Sequence, residues 1–235
     1  MRMLFLAVIA LVAAVCLRLG FWQLDRLQER RTENRIAEAA RALPEVPISG
    51  AAGPSLAHRR VRATGVYDPR GEIILRGQSH RERPGVVVVT PLRLAGRDTA
   101  VLVARGFVPS ADAVSVSAVP AAEPGEVTVR GIALPLGERD DDGAMLERPG
   151  LGTTWKGLDR SAIEARLGYP VATVYLVQAP DSAAAASPRR LEPPALDDGP
   201  HLSYAIQWFA FAVIALVGAA ALLGRRGSAA RRPVP

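Results

Sequence analysis

Gly199-Pro200-His201-Leu202-Ser203-Tyr204-Ala205-Ile206-Gln207-Trp208-Phe209 opens an apolar run that continues to Leu223 and stops at Arg225-Arg226. No charge interrupts it between Leu202 and Gly224, long enough for a helix to cross a hydrocarbon core of roughly 30 Å. Asp197 and Asp198 precede the first turn, where the positive end of the helix dipole favours carboxylates, and Pro200 suits the first helical position. Spacing by three and four puts His201, Tyr204, Trp208 and Phe211 on one face, with Ser203 and Gln207 in an adjacent stripe. Tyr, Trp and a first-turn His are ordinary at a membrane interface. Trp208, however, lies about 10 Å below His201 at a helical rise of roughly 1.5 Å per residue. Gln207 is similarly deep, and an amide without a partner is costly in lipid. The stripe is expected to face another helix or a bound molecule.

Met3 to Leu17 is a second uninterrupted apolar run, extending to Trp22 if Arg18 snorkels to the nearer surface. A cleaved signal peptide competes with a retained helix here, but no small-x-small site follows the run. Val15 is also too large for the residue before a lipidated cysteine. Two membrane helices are therefore expected, over 3–23 and 201–223, with a polar helical stalk over 24–43 ended by Pro44 and Pro47.

The net charge of +6 resolves when divided along the chain. Residues 1–35 hold six Arg against three acids and residues 225–235 hold four Arg, while the remainder is −1. The excess flanks the membrane segments, and the middle shows no nucleic-acid footprint. Arg in the tail 224–235 keeps the C-terminus in the cytoplasm. Two crossings return the N-terminus to that side, so the middle domain is expected to be extracytoplasmic. Trp22-Gln23 and Gln207-Trp208 then both approach the outer leaflet, and facing helices would form a pocket rimmed by Arg18, Arg26 and His201.

The middle reads as strands over 58–178. Arg59 to Tyr67 alternates, Asp68-Pro69-Arg70-Gly71 turns, and Glu72 to Arg76 forms a short strand. Val86 to Thr90 is apolar on both faces and hence central. Thr99 to Val108, Glu126 to Ile132 and Val171 to Val177 follow, with one short helix over Ser161 to Leu167. Short strands with Gly/Pro turns imply an antiparallel barrel or sandwich. Residues 179–199 read as an Ala/Pro-rich linker. The fold class is a membrane α-hairpin with an inserted mainly-β domain.

Catalytic signals are absent. His58, His80 and His201 are too scattered for a metal triad, Cys16 is the only cysteine, and neither a phosphate loop nor a nucleophile elbow is present. Asp140-Asp141-Asp142 lacks spaced oxygen partners and reads as a solvated loop.

Leu19-Gly20-Phe21-Trp22-Gln23-Leu24-Asp25-Arg26 resembles the Leu-Gly-x-Trp-Gln-Leu-x-Arg motif of the Surfeit locus protein 1 family. Arg60 to Pro69, Pro84 to Leu92, Val101 to Pro109 and Pro200 to Phe209 are similar to further blocks of that family, in the same order. Phe107 departs from the family's usual Trp, and 138–151 matches nothing in it. The resemblance implies a non-enzymatic assembly factor, or chaperone, of a bacterial cell membrane. It would carry or position haem a, transiently, for insertion into the catalytic subunit of haem-copper cytochrome c oxidase. Partners so implied are that subunit, the haem a synthesis machinery and the lipid bilayer. The resemblance makes His201 the ligand of haem iron, with Trp22, Tyr204, Trp208 and Gln207 against the macrocycle and Arg18 or Arg26 pairing with propionates. The alternative is a scaffold without haem that stabilises oxidase intermediates through its outer domain.

Overall fold

The computed structural model describes residues 2–48, 54–116, 118–137, 145–148, 152–180 and 187–229. Asp140-Asp141-Asp142, most of 138–151, and Arg231 and Arg232 lie outside the described residues. The chain forms two compact units, Met1–Ile36 with Leu196–Pro235, and Ala37–Ala195.

In the larger unit, strands β1 (Val46–Pro47), β2 (Arg60–Tyr67), β3 (Ile73–His80), β4 (Arg83–Leu94) and β5 (Ala100–Pro109) precede β6 (Glu126–Pro135). Then come β7 (Met145–Arg148), β8 (Gly152–Trp155), helix α2 (Arg160–Leu167) and β9 (Val171–Gln178). The sheet order is β1-β2-β6-β9-β5-β4-β3-β8-β7, and a further pairing of β2 with β4 closes a five-stranded barrel β2-β6-β9-β5-β4. The long β4 makes closure possible. Its first half pairs with β3, while Leu92 to Leu94 pair with Tyr67 to Gly65 of β2. Alternation decides which side chains fill the barrel. Val61, Ala63 and Tyr67 point inward from β2, Val101 and Val103 from β5, and Val174 and Leu176 from β9. Leu102 and Ala104 point outward, where Trp155 and Ile163 cover them. This two-sided burial is why β5 and Val86 to Thr90 of β4 read as continuous apolar runs.

Several expectations are corrected. The barrel is not wholly antiparallel: β5 and β9 run parallel, because α2 and its flanking loops return the chain to the same end before β9. The strand expected over Glu72 to Arg76 begins at Ile73 and extends to His80, with a register shift between Leu75 and Gln78. His80 ends that strand with its ring 5.7 Å from Phe107. The 179–199 stretch is not free linker either. Phe107 and Arg189 exchange backbone hydrogen bonds of 2.8 and 2.9 Å, and Pro188 and Arg190 are buried. Residues 189–195 thus form a strap on the barrel wall.

Gly106 allows that strap to approach. Its φ is +148°, and a Cβ there would stand 2.4 Å from the Arg189 carbonyl oxygen. Gly106→Ala combines backbone strain with a clash against backbone, about 2 kcal/mol or more. Its thermal midpoint, followed by circular dichroism, is expected to fall by roughly 5 °C. An unchanged midpoint would show that the strap yields freely.

A buried charge cluster fastens the strap. Arg105, 1% exposed, donates to Glu72 Oε2 at 3.4 Å and to the Pro120 carbonyl at 2.9 Å. Its guanidinium lies 5.5 Å from the Tyr67 ring centroid. Glu72 Oε2 also accepts from Thr90 Oγ1 at 2.9 Å. From the strap, Arg190 donates to the Arg105 carbonyl and to Glu123 Oε1 at 2.7 Å. Burial pushes the Glu72 carboxyl above its ordinary pKa, against the opposing pull of Thr90 and Arg105.

In the smaller unit, α1 (Arg2–Ala42) contributes residues 2–36 and α3 spans His201–Ala229. The polar stretch expected as a stalk continues the same helix through Ala42, without a break after Gln23. Both helices are long and apolar enough to cross a membrane, with mean hydropathies of 2.6 and 1.8. Only 17% and 11% of those windows are buried. Leu4, Phe5, Leu11, Ile214 and Val217 are therefore exposed, unlike the side chains of a soluble core helix.

Candidate functional site

Small residues bring the helices together. Ala13, Cys16, Gly20, Gln23 and Leu27 recur by three and four along α1, and His201, Ala205, Trp208 and Ala212 do so along α3. Ala13, Cys16, Leu27, Ala205 and Ala212 are buried, and small side chains allow close helix contact in membranes. A Cβ on Gly20 would stand 2.5 Å from the Phe209 ring, and Phe209 meets Phe21 edge-to-face with centroids 5.3 Å apart. The contacts run antiparallel: Gly20 with Phe209, Gln23 with His201, Arg31 with Asp198 and Asn34 with Asp197.

His201 enters this seam at the first residue of α3. Its Nδ1 lies 2.9 Å from Gln23 Oε1. An amide oxygen only accepts, so Nδ1 carries the proton and the lone pair resides on Nε2. Gly199 leaves space beside that nitrogen, since a Cβ there would approach it to 3.5 Å. The segment before α3 is pinned as well. Arg31 Nε donates to Asp198 Oδ2 at 2.8 Å, Asn34 Nδ2 to the Asp197 carbonyl at 2.8 Å, and Gly199 N to Asp197 Oδ1 at 3.0 Å. The result is one half-buried imidazole held at Nδ1, with no partner for Nε2 among the described residues.

A polar pocket of about 310 Å³ adjoins it. Arg26, Glu29, Arg30 and Glu33 line it from α1, with Asp197, Gly199 and His201 opposite. Arg26 pairs with Glu29 at 2.6 Å and Arg30 with Glu33 at 3.4 Å, both exposed pairs that exchange easily with solvent or ligand.

The expected site residues are only partly assembled. Arg26 and His201 share the pocket, whereas Arg18 is exposed on α1 and does not line it. Trp208 is half-buried on the seam, 6.0 Å from Phe211. Trp22 and Tyr204 are 45% and 46% exposed, and Gln207 is also exposed, so these three do not join the seam. The face expected to hold His201, Tyr204, Trp208 and Phe211 is therefore split. Ala205 and Ala212 complete the seam because small side chains permit the approach that Tyr204 would block. Gln23, Gly199, Arg31 and Asp198 were missing from the expected site. The matching three-four repeats of small residues were the signal that could have found Gln23.

This geometry belongs to the two segments whose motifs carried the resemblance, and comparison with known proteins bears out the resemblance itself. The sequence model of the SURF1 family matches residues 10–213. The chain belongs to the SURF1 family. It is 27% identical over 230 residues to an uncharacterised SURF1-like protein of Mycobacterium bovis, covering 91% of this chain and 82% of that one. A SURF1-like protein of Rickettsia bellii is 25% identical over 205 residues, covering 85% and 82%. A SURF1-like protein of Rickettsia felis is 30% identical over 102 residues, covering 43% and 44%. SURF1 membership implies a part in oxidase assembly in general, in a family of assembly factors rather than known enzymes.

Proposed function

We propose that this SURF1 protein is a membrane-anchored assembly factor that carries haem a, as transient cargo, toward the catalytic subunit of haem-copper cytochrome c oxidase. The supporting observation is His201, with Nδ1 held by Gln23 and Nε2 left open beside Gly199. A neutral imidazole so oriented is a suitable axial donor to haem iron, and a hydrogen bond on the far nitrogen raises its basicity. The 310 Å³ pocket is at the small, polar end of ligand sites and has room for a substituent, not a whole macrocycle. Arg26 and Arg30 are its guanidinium groups, and a propionate would have to displace Glu29 or Glu33 to pair with one of them. Trp22 and Tyr204, unused in helix packing, offer apolar surface to the ring. Cargo held on a helix surface rather than in a closed cavity can pass to a partner without unfolding its carrier.

Gln23→Leu keeps the seam apolar but releases the tautomer. Haem affinity in an absorbance titration of the purified protein is expected to drop by about tenfold or more, with both helices still inserted. Equal affinity would mean that Gln23 only packs.

The proposed topology is a hairpin in a bacterial cell membrane with both termini in the cytoplasm and the β-unit outside. Periplasm-active reporters fused after Leu56 and after Arg232 are expected to report opposite sides. Same-side activity would overturn it. A purified wild-type protein without a Soret band after co-expression with enzymes that make haem a would favour the scaffold without haem.

A further inference from the structure

The larger unit contains a cleft of about 790 Å³ that shares no residue with the helical site. Four neighbouring strands supply an apolar floor: Leu75 from β3, Val87 from β4, Ala104 from β5, and Tyr175 and Val177 from β9. The strap, from Arg189 to Ala195, forms a wall. It is fastened at Phe107 by backbone hydrogen bonds, at Glu123 through Arg190, and near its end by Arg41, which donates to the Pro194 carbonyl at 3.0 Å. A strap tied at several points over an open apolar floor makes a preformed site. The volume is that of small-molecule sites.

Charge and topology narrow the occupant. Arg81, at the β3–β4 turn, and Arg189 are exposed in the lining and have no acidic partner among the described residues. Arg190 is already matched by Glu123, and Glu192 supplies the lining carboxylate. One positive charge is left over, which suits a monoanion. Tyr175 adds a phenol whose pKa burial raises, so it stays a neutral donor. A peptide strand has no free edge to join at this floor. Leu75, Val87, Ala104, Tyr175 and Val177 are each paired with neighbouring strands on both sides.

We infer that this cleft binds a small amphiphilic monoanion, its apolar part on Leu75, Val87 and Val177 and its head group between Arg81 and Arg189. Carboxylates and phosphate diesters share that chemistry.

The test uses the full chain in neutral-lipid nanodiscs, with Cys16→Ser and an environment-sensitive fluorophore on Ala195→Cys at the cleft wall. Octanoate, methyl octyl phosphate and 1-octanol are titrated as water-soluble probes. At least one anion is expected to give a saturable emission change, with 1-octanol weaker by about tenfold or more. The tighter anion identifies the head-group source. Arg81→Gln with Arg189→Gln is expected to abolish the preference for the anion, and Arg81→Lys with Arg189→Lys to retain it. Both positions are exposed, so the melting midpoint should not move in either pair. No saturable response, equal binding of 1-octanol, or an undiminished preference in the Gln pair would each overturn the assignment. His201→Ala should leave these titrations unchanged, so this inference and the haem proposal fail separately.

Discussion

His201→Ala is expected to lower haem occupancy by at least about a hundredfold, or to shift the Soret band of whatever fraction remains bound. The substitution removes the open Nε2 donor, and losing a supporting hydrogen bond alone costs about 10–100-fold at such sites. It leaves the apolar faces of Trp22 and Tyr204, so weak binding without the axial bond can survive. Membrane insertion should persist, because Ala is well tolerated at a helix start and the seam's Ala205 and Ala212 are untouched. Trp208→Ala should differ in kind. Trp208 is half-buried against Phe211 on the seam. Its loss loosens the helix pair, lowering occupancy while leaving the spectrum of the bound fraction unaltered. Co-expression with enzymes that make haem a, followed by spectra of the wild type and both variants, separates the outcomes. If His201→Ala retains both occupancy and spectrum, the imidazole is an interfacial residue and the scaffold reading takes over.

The second large effect is expected at Arg105. Removing this buried cation strands Glu72, while Glu123 keeps Arg190 at 2.7 Å, and breaking one side of a buried charge cluster typically costs about 3–5 kcal/mol. Arg105→Ala also releases the Pro120 and Ala121 carbonyls. The β-unit's thermal midpoint is expected to fall by roughly 10 °C. Combining Arg105→Met with Glu72→Gln removes the charge from both partners and should recover part of that loss, because no uncompensated carboxylate remains. Haem spectra should be unaffected in any variant that folds, since His201 and Gln23 belong to the other unit. A folded Arg105→Ala protein without its Soret band would contradict that separation. So would a midpoint equal to the wild type's.

Local patterns made much of the architecture legible. The uncharged runs around α1 and α3 declare their length and their medium, because no soluble surface tolerates so many exposed apolar side chains. Alternation in Arg60–Tyr67 declares a strand with one wet face, and the unbroken Val86 to Thr90 run declares one buried on both. Asp159 caps α2 by accepting from the Ala162 amide, and Gly168 ends it at a φ of +72°. These are short-range signals, decided within a few residues. Strands β7 and β8 are four residues each, too short for a period to register.

What the sequence by itself determined was therefore the inventory: two membrane-length helices, a mainly-β domain between them, and a histidine at the mouth of the second. Only the tertiary structure decided how these combine. The β2–β4 pairing closes the barrel, β5 and β9 run parallel, and residues 189–195 become a strap rather than a linker. Gln23, rather than Trp22 or Gln207, is the residue that meets His201, across 178 residues of chain. The physical reason is common to all of them. A hydrogen-bonding or apolar period specifies which face a residue presents, but the identity of the group opposite depends on contacts between distant segments. Those contacts are chosen by which small residues let two backbones approach and which buried charges must find partners.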